Sequence, residues 1–257
     1  MDNLFKAQQK LIENAIYIKE NHGACSLKLG TEAEANSFED ISRLMVFINN
    51  ILPIVVKIGG CDARNDIRQL AKLGVSGIIA PMIESEYALF NFIRALKDIV
   101  GEDFKQVFPF IGINIESITG YENIDKILSS PYINNIDQIT VGRTDMASSL
   151  NCDIDNQKIT DISRIITKKA KDKNLLVSVG GTITPNNAQK IVHNINPDKV
   201  NIRTVVIYLK DCKDIKISIK ESLNFELLLL DFFLKHEFAH HNYIKERIKI
   251  IRERINN

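Results

Sequence analysis

The sequence predicts a (β/α)8 barrel, and three observations support this fold class. Short β-branched runs such as IVVKIGG and QITVG alternate with segments whose apolar residues have helical spacing. Counting these runs gives about seven or eight βα units. The length of 257 residues is close to the roughly 250 residues typical of such a barrel. Right-handed crossovers would close the parallel strands, so we favour a barrel over an open doubly wound sheet.

The predicted elements follow one another regularly along the chain. The N-terminal segment MDNLFKAQQKLIENAIYI has apolar residues at helical spacing and predicts an amphipathic helix. Asp62 is a plausible N-cap and Gly74 a plausible C-cap of one of the later helices. The predicted strands are ACSLKL, IVVKIGG, SGIIAPMIES, FPFIGINIES, IDQITVG, LLVSVGG and the region VNIRTVVIYL.

The chain is expected to consist of a barrel domain, residues 1–212, and a helical extension, residues 213–257. The extension carries a dense apolar patch from Leu223 to Leu234, followed by a basic tail. This is more apolar surface than a terminal helix usually needs, so we expect part of it to pack on a neighbouring subunit. The sequence therefore predicts a homo-oligomer.

Composition argues against several classes of protein. A net charge of +1 gives no electrostatic reason to expect a nucleic-acid partner. The most apolar stretch, FELLLLDFFL, is interrupted by Asp231 and is too short to cross a membrane. No signal peptide is evident, and the four cysteines lie far apart, without the close pairs of zinc or redox motifs. We therefore expect free thiols and a cytoplasmic protein without membrane or nucleic-acid partners.

Two predicted strands each end near a carboxylate. The run FIGINI leads to Glu116, and the run ITVG is followed by Arg143, Thr144 and Asp145. Parallel α/β folds bind their ligands at the carboxyl ends of the strands, so Glu116 and Asp145 are expected to face one pocket. Paired carboxylates with room for water suit a hard divalent cation, which predicts a Mg2+ or Mn2+ site.

Other charged residues lie at or just after predicted strands. Lys57 ends the second strand and is expected in the pocket, although an ion pair would also explain it. Lys28, Glu32 and Glu34 are either catalytic and substrate-binding groups or one structural ion network. Glu84 follows the third strand and is either a group at the pocket rim or a helix N-cap.

The late segment SVGGTITPNN places Gly180 and Gly181 between a strand and a helix. Late βα loops of barrels often bind phosphate through backbone amides, so a phosphorylated substrate is one interpretation. A tight turn that requires glycine is the other interpretation, and we favour it slightly.

The segment HEFAHH matches the HExxH spacing of zinc peptidases through His236, Glu237 and His240. We discount a zinc site, because only Glu246 and Glu253 remain as third ligands and little chain follows to form a cleft.

The strand ends resemble those of the HpcH/HpaI aldolase and citrate lyase β-subunit superfamily. The matching pieces are TEAEAN, VVKIGG, GVSGIIAPMIES, INIESITG and ITVGRTDMASSL, which together cover roughly residues 27–150. The resemblance implies that Glu116 and Asp145 bind Mg2+ or Mn2+, which would chelate a 2-oxo acid such as pyruvate or an acyl-CoA. It further implies a carbon–carbon lyase of the aldolase type, in which the metal stabilises an enolate, and a trimer or hexamer.

The resemblance also suggests roles for further residues. Lys57 stands where the family usually has an arginine and would stabilise the enolate electrostatically. Arg143, or the backbone near it at Gly142 and Thr144, would meet a substrate carboxylate. The histidine that the pyruvate aldolases carry after the first strand is absent, and Glu32 and Glu34 occupy that loop. Two alternatives remain, a barrel enzyme that acts on a sugar phosphate and a barrel without catalysis that serves as a binding subunit.

Overall fold

Eight strands close into a barrel in the computed structural model, which describes residues 2–34, 36–235 and 241–256. The strands pair in chain order, from the first to the eighth and back to the first. They are β1 Ala24–Gly30, β2 Ile54–Lys57, β3 Gly77–Ala80, β4 Phe110–Ile115, β5 Gln138–Gly142, β6 Leu176–Gly180, β7 Lys199–Asn201 and β8 Val205–Tyr208. The predicted barrel is thereby confirmed.

The eighth strand differs from a (β/α)8 repeat. Strands β1 to β7 run parallel, but β8 is antiparallel to both β7 and β1. The region VNIRTVVIYL, expected as one strand region, is instead a hairpin that turns at residues 202–204. Arg203 allows the turn by adopting a φ of 107°, a region that non-glycine residues rarely occupy. This turn stands where a crossover helix would otherwise connect the last two strands.

Twelve helices lie in the described ranges and alternate with the strands through most of the chain. Gly74 is the C-cap of α3 and has a φ of 69°, as the sequence predicts. Asp62 is not the N-cap of this helix: Ala63 takes that position, and the Asp62 side chain accepts a hydrogen bond from Arg64 Nε. The helices are α1 Asp2–His22, α2 Phe38–Phe47, α3 Arg64–Leu73, α4 Glu86–Val100, α5 Phe104–Val107, α6 Ile118–Glu122, α7 Ile124–Ser129, α8 Arg143–Ser149, α9 Gln157–Lys171, α10 Ala188–Ile195, α11 Ile215–Lys235 and α12 His241–Asn256.

Inside the barrel, polar side chains alternate with the apolar residues that face the helices. Asn114, Thr140 and Ser178 are buried and lie beside one another on β4, β5 and β6. The residues before and after each of them are fully buried isoleucines and valines. Because successive side chains of a strand point to opposite faces, the apolar set packs on the helices and the polar set fills the barrel. The interior can therefore bind polar groups along much of its length.

The apolar patch of α11 is covered within this chain. Helix α11 packs mainly against α1 and also against α12. Its buried residues include Ile219, Leu223, Phe225 and Leu229. The excess apolar surface that suggested a subunit contact thus finds intramolecular partners, and the homo-oligomer stays a prediction. None of the helices in the described ranges is long and apolar enough to span a membrane.

Charged contacts hold α12 against the carboxyl end of the barrel. Arg247 Nε donates to Glu226 Oε1 on α11 over 2.9 Å, and both side chains are buried. Arg254 Nε donates to the carbonyl of Ile183 (3.2 Å), and its Nη1 donates to that of Ile202 (3.3 Å). Ile183 follows β6 and Ile202 follows β7, so α12 reaches the end of the barrel where the strand-end carboxylates lie.

Candidate active site

Glu116 lies directly after β4 and is held at two points. The backbone N–H of Met82 donates to Oε1 and the amide of Asn114 donates to Oε2, each over 3.1 Å. Only 4% of Glu116 is exposed. Met82 adopts a φ of 50°, which is strained for a residue with this side chain. The end of β3 is thus bent toward the Glu116 carboxylate, which fixes its position.

Gly142, at the end of β5, makes room for Glu116. A Cβ atom at Gly142 would lie 2.6 Å from both Cβ and Oε2 of Glu116. The φ of Gly142 is −89°, so steric space rather than backbone conformation requires glycine here. Asp145 follows in the first turn of α8 and is exposed. The neighbouring ends of β4 and β5 therefore present one buried and one exposed carboxylate.

Electrostatics connect these carboxylates with Lys57. Burial raises the pKa of Glu116, Lys57 opposes that shift, and Asp145 adds to it. At Lys57 burial lowers the pKa, but Glu34, Glu32 and Glu116 outweigh it, so the pKa of this lysine is raised. The structure therefore brings Glu116, Asp145 and Lys57 into one electrostatic neighbourhood, and the metal-binding pocket expected there stays a prediction.

Lys28, Glu32, Glu34 and Lys57 form one ion network at the ends of β1 and β2. Lys57 Nζ lies 2.9 Å from Glu32 Oε2 and 3.9 Å from Glu34 Oε2. Lys28 Nζ lies 3.2 Å from Glu34 Oε1. Burial is the main reason that the pKa of Lys28 is lowered. The ion network, one of the two interpretations of Lys28, Glu32 and Glu34, is therefore present. Lys57 also interacts with Glu116, so the network is connected to the candidate active site.

Arg203, a residue that the sequence analysis missed, completes this network. Its Nε lies 3.9 Å from Glu34 Oε1, and its Nη2 donates to the hydroxyl of Tyr243 on α12 over 2.7 Å. The hairpin turn between β7 and β8 places Arg203 at this end of the barrel. The sequence gives no signal for this contact, since it depends on the reversed direction of β8.

Acidification should destabilise the protein through Glu34. Burial alone would raise the pKa of this carboxyl, but Lys28, Lys57 and Arg203 together lower it to about 2, from 4.5 in a free side chain. A carboxyl with a depressed folded-state pKa stabilises the protein above the unfolded pKa, and this contribution is lost as the pH falls toward 2. Between pH 5 and pH 2.5, the free energy of unfolding should fall by about 2 to 3 kcal/mol less in the Glu34→Gln variant than in the natural chain.

Urea unfolding at a series of pH values measures this difference. Glu102→Gln serves as the matched control, because the Glu102 side chain is 79% exposed in its pair with Lys97. Parallel pH profiles for the natural chain and Glu34→Gln would contradict the assignment.

Arg143 is not brought into the group around Glu116. Its side chain is buried, with Nη1 donating to the carbonyl of Gly181 (3.0 Å) and Nη2 to that of Ile154 (3.2 Å). Asp155 approaches Nη2 at 3.7 Å. The guanidinium therefore connects the segments that contain Gly181 and Ile154. This placement does not support the expected role of Arg143 in binding a substrate carboxylate.

The two glycines after β6 have a packing role. Gly180 pairs with Gly142 and with Asn201 across the sheet. A Cβ atom at Gly181, whose φ is 104°, would lie 2.8 Å from the backbone nitrogen of Thr144 and 2.9 Å from its Oγ1. Close approach to Thr144 and the left-handed backbone account for the second glycine. This supports the tight turn over the phosphate cradle.

Glu84 is fixed beside the site. The hydroxyl of Ser117, the residue after Glu116, donates to Glu84 Oε1, and Asn123 donates to the Glu84 carbonyl over 3.0 Å. The adjacent Ser85, not Glu84, caps α4 by accepting from the backbone N–H of Ala88. Glu84 is thus held at the rim next to Glu116. The three HExxH residues, His236, Glu237 and His240, lie outside the described residues.

The donor set suits a hard cation that retains water. In the described ranges no group of three or more His, Cys, Asp or Glu side chains is arranged to hold a metal ion. Mg2+ commonly uses one or two protein carboxylates and keeps several waters, so Glu116 with Asp145 meets its requirement. The raised pKa of the buried Glu116 indicates a charge that lacks full compensation. These residues fit Mg2+ or Mn2+ and do not form a four-ligand zinc site.

Solved structures with this fold include several enzymes. The chain is similar to an HpcH/HpaI aldolase from Desulfitobacterium hafniense DCB-2, with 19% identity and a TM-score of 0.59 over 72% of this chain and 78% of that chain. The chain shares the HpcH/HpaI aldolase fold. It is also similar to a HpcH/HpaI aldolase/citrate lyase family protein from Burkholderia cenocepacia J2315, with 16% identity and a TM-score of 0.60 over 72% and 80% of the two chains.

A third similar structure is the citrate synthase SbnG. It has 15% identity and a TM-score of 0.56, over 73% of this chain and 80% of that chain. No family model and no curated protein matches the sequence. The fold is therefore evident from structure, while the sequence identity to these structures is low.

Proposed function

We propose that this protein is a divergent member of the HpcH/HpaI aldolase and citrate lyase superfamily and a metal-dependent carbon–carbon lyase. Its substrate would be a 2-oxo acid such as pyruvate, or an acyl-CoA, that reacts through an enolate. The observation that carries the proposal is the buried carboxylate of Glu116, whose pKa is raised, beside Asp145 and Lys57 at the carboxyl ends of the strands. The similar structures with aldolase and citrate synthase activities in their names support the reaction class.

Glu116 and Asp145 would hold the divalent cation. When bound, the cation would supply Lewis-acid stabilisation of the negative charge that develops on the substrate oxygen. Met82 and Asn114 hold the Glu116 carboxylate in place before any ligand arrives. Glu116 therefore needs little rearrangement when the cation binds, which favours the reaction.

Lys57 would stabilise the enolate as a cation rather than act as a nucleophile. Its raised pKa keeps the ammonium protonated at neutral pH, and a protonated amine cannot form a Schiff base. The positive charge lies among carboxylates that fix its position. Lys57 therefore performs the electrostatic part of the task that the resemblance assigns to an arginine.

Glu32 is the better candidate for the general base. The pKa of about 2 makes Glu34 a weak proton acceptor. Glu32 contacts Lys57 at 2.9 Å, and its side chain is 40% exposed, so a substrate could reach it. Since Arg143 is bonded to carbonyls, the backbone at Gly142 and Thr144 remains the candidate for binding a substrate carboxylate. We further propose that the protein works as a homo-oligomer, a trimer or a hexamer.

Deuterium exchange into the methyl group of pyruvate tests enolate formation without knowledge of the second substrate. The natural chain in D2O with Mg2+ should exchange these protons, as followed by NMR, and a chelator should stop the exchange. Asp145→Asn should reduce the exchange rate at least about a hundredfold, because one of two metal-binding carboxylates is lost. The exposed Glu86, on α4, provides the control variant Glu86→Gln, which should exchange at the natural rate.

Each possible result discriminates among the functions. Exchange that persists in Asp145→Asn, or in the presence of chelator, would overturn the assigned metal site. Metal binding without exchange of pyruvate protons would favour an acyl-CoA or a phosphorylated substrate. Absence of metal binding would favour the barrel without catalysis.

A further inference from the structure

A cavity of about 400 Å3 lies at the end of the barrel opposite the candidate active site. Pro53, Ser76 and Pro109 line it, and they directly precede β2, β3 and β4. Gln138 and Lys199, which also line it, are the first residues of β5 and β7. These residues mark the amino-terminal end of the parallel strands. Glu116 and Asp145, by contrast, follow the carboxyl ends of β4 and β5.

The antiparallel direction of β8 contributes to this cavity. Tyr208, the last residue of β8, pairs with Lys199, the first residue of β7. Tyr208 therefore lies at the amino-terminal end of the barrel, and its ring lines the cavity. Lys199 Nζ lies 5.2 Å from the ring centroid of Phe110 and 5.3 Å from that of Tyr208. The ammonium is thus placed among the aromatic rings of the cavity wall.

Lys199 forms no ion pair within the described part of the chain. Burial lowers the pKa of Lys199, and the nearby carboxylates that oppose this shift, Asp198 and Asp137, are bound elsewhere. Asp198 pairs with Lys171 at 2.9 Å and accepts the backbone N–H of Val177. Asp137 pairs with Lys105 at 2.6 Å in the same way and accepts the N–H of Ile111. The charge on Lys199 is consequently left without a counter-ion of its own.

Gln138 adds an unsatisfied polar atom to the wall. Only 3% of the residue is exposed, and its Nε2 donates to Thr140 Oγ1 over 3.2 Å. Its Oε1 is buried without a hydrogen-bond partner among the described residues. Turning this amide by 180° would let Oε1 accept from the Thr140 hydroxyl and leave Nε2 free to donate to a bound molecule.

The rest of the wall is mainly apolar. Among the described residues no carboxylate lines the cavity, and the other cation in its wall, Lys28, is already paired with Glu34. The volume falls within the range of small-molecule sites, which are apolar with a few polar groups that orient the ligand. The apolar wall is formed by Pro53, Val55, Ile79, Pro109, Phe110 and Val206.

We propose that this cavity is a second ligand site, which binds a small monocarboxylate with an apolar body of about six to eight carbon atoms. The carboxylate would pair with Lys199, and the body would pack against Phe110, Val55 and Ile79. A bound carboxylate would provide the counter-ion that the described residues do not supply to Lys199. The site lies apart from Glu116 and Asp145, and the inference does not depend on the proposed function.

Calorimetric titration of the full chain with benzoate tests this site directly. A chelator is present throughout, so that binding of the carboxylate to a metal at the other end of the barrel is excluded. Benzoate should bind with one molecule per chain, and the neutral analogue benzyl alcohol should bind about tenfold more weakly or not at all. Hexanoate and cyclohexanecarboxylate extend the probe set to aliphatic bodies.

Variants of Lys199 and of the neighbouring Lys210 test whether Lys199 binds the carboxylate. Lys199→Met should weaken benzoate binding about tenfold or more, since a charged hydrogen bond is lost, and Lys199→Arg should retain binding. Lys210→Met is the matched control, because Lys210 also lies over the Tyr208 ring, at 4.4 Å, but does not line the cavity. It should bind benzoate as the natural chain does.

Three results would overturn the proposal. These are failure of all three carboxylates to bind the natural chain at millimolar concentration, equal binding of benzoate and benzyl alcohol, and undiminished binding in Lys199→Met. Thermal unfolding of Lys199→Met without ligand confirms that the variant is folded.

Discussion

Replacing Glu116 by glutamine should raise the melting temperature of the metal-free protein and abolish its stabilisation by Mn2+. Burial raises the folded-state pKa of Glu116 above 4.5, so the ionised form is disfavoured in the folded protein. A group with a raised folded-state pKa contributes stability below the unfolded pKa and loses it as the pH rises through the folded pKa. At neutral pH the charge therefore costs stability, and the neutral amide removes that cost.

Glutamine should fit at position 116 without a rearrangement of the backbone. One of its two terminal atoms becomes a donor, whereas Glu116 accepts hydrogen bonds at both oxygens. Asn114 can adapt by rotating its amide, because its Oδ1 is buried without a hydrogen-bond partner in the described part of the chain. The rotated Asn114 would accept from the new amide, and Met82 would continue to donate.

Mn2+ at about a hundred times its dissociation constant should stabilise the natural chain by about 2.7 kcal/mol, or roughly 5 to 10 °C in melting temperature. Glu116→Gln should lose this shift. Glu122→Gln is the control on α6, where the residue is exposed, and it should keep both the original melting temperature and the shift. An equal Mn2+ shift in Glu116→Gln and the natural chain would place the metal elsewhere.

Replacing Arg247 by methionine should destabilise the protein by about 3 kcal/mol, because a buried carboxylate loses its partner. Glu226 is only 1% exposed, and its Oε1 accepts from Arg247 Nε over 2.9 Å. Its second oxygen has no hydrogen-bond partner among the described residues, so the remaining charge would keep only the electrostatic attraction of Arg254. Urea unfolding at neutral pH measures the loss.

Two further variants show whether the loss of stability in Arg247→Met comes from the burial of the unpaired charge. Lys235→Met breaks the pair with Asp231, in which the side chains are 63% and 52% exposed, and should cost less than about 1 kcal/mol. The double variant Glu226→Leu with Arg247→Met should recover most of the lost stability, since it removes both buried charges. A loss in Arg247→Met no larger than in Lys235→Met would show that the buried pair contributes little.

The sequence predicted the part of the fold that depends on local pattern. The β-branched runs before Lys57, Glu116 and Gly142 indicate buried parallel strands, and parallel strands gather their carboxyl ends on one face. That reasoning was sufficient to predict that Glu116 and Asp145 lie near each other. The alternation within a strand could also have identified Asn114, since it lies two residues before Glu116 and therefore on the same face.

The features that were missed depend on contacts between distant residues. The turn at Arg203 has neither glycine nor an Asn-Gly pair, so no local signal indicates the hairpin between β7 and β8. Arg143 follows a strand end just as a catalytic arginine would, and only the folded positions of Gly181 and Ile154 show how its guanidinium is used. The apolar patch of α11 suggested a second subunit because its cover, α1, is distant in sequence.

The packing of α1 on α11 has a consequence for the order of folding. Helix α1 is synthesised before its main partner α11, which begins about 190 residues later. Until α11 leaves the ribosome, the apolar face of α1 and the open edge of β1 have no native cover, because β8 also comes late. Such long sequence separations slow folding and expose aggregation-prone surface, so the chain should need a chaperone during synthesis more than its size suggests.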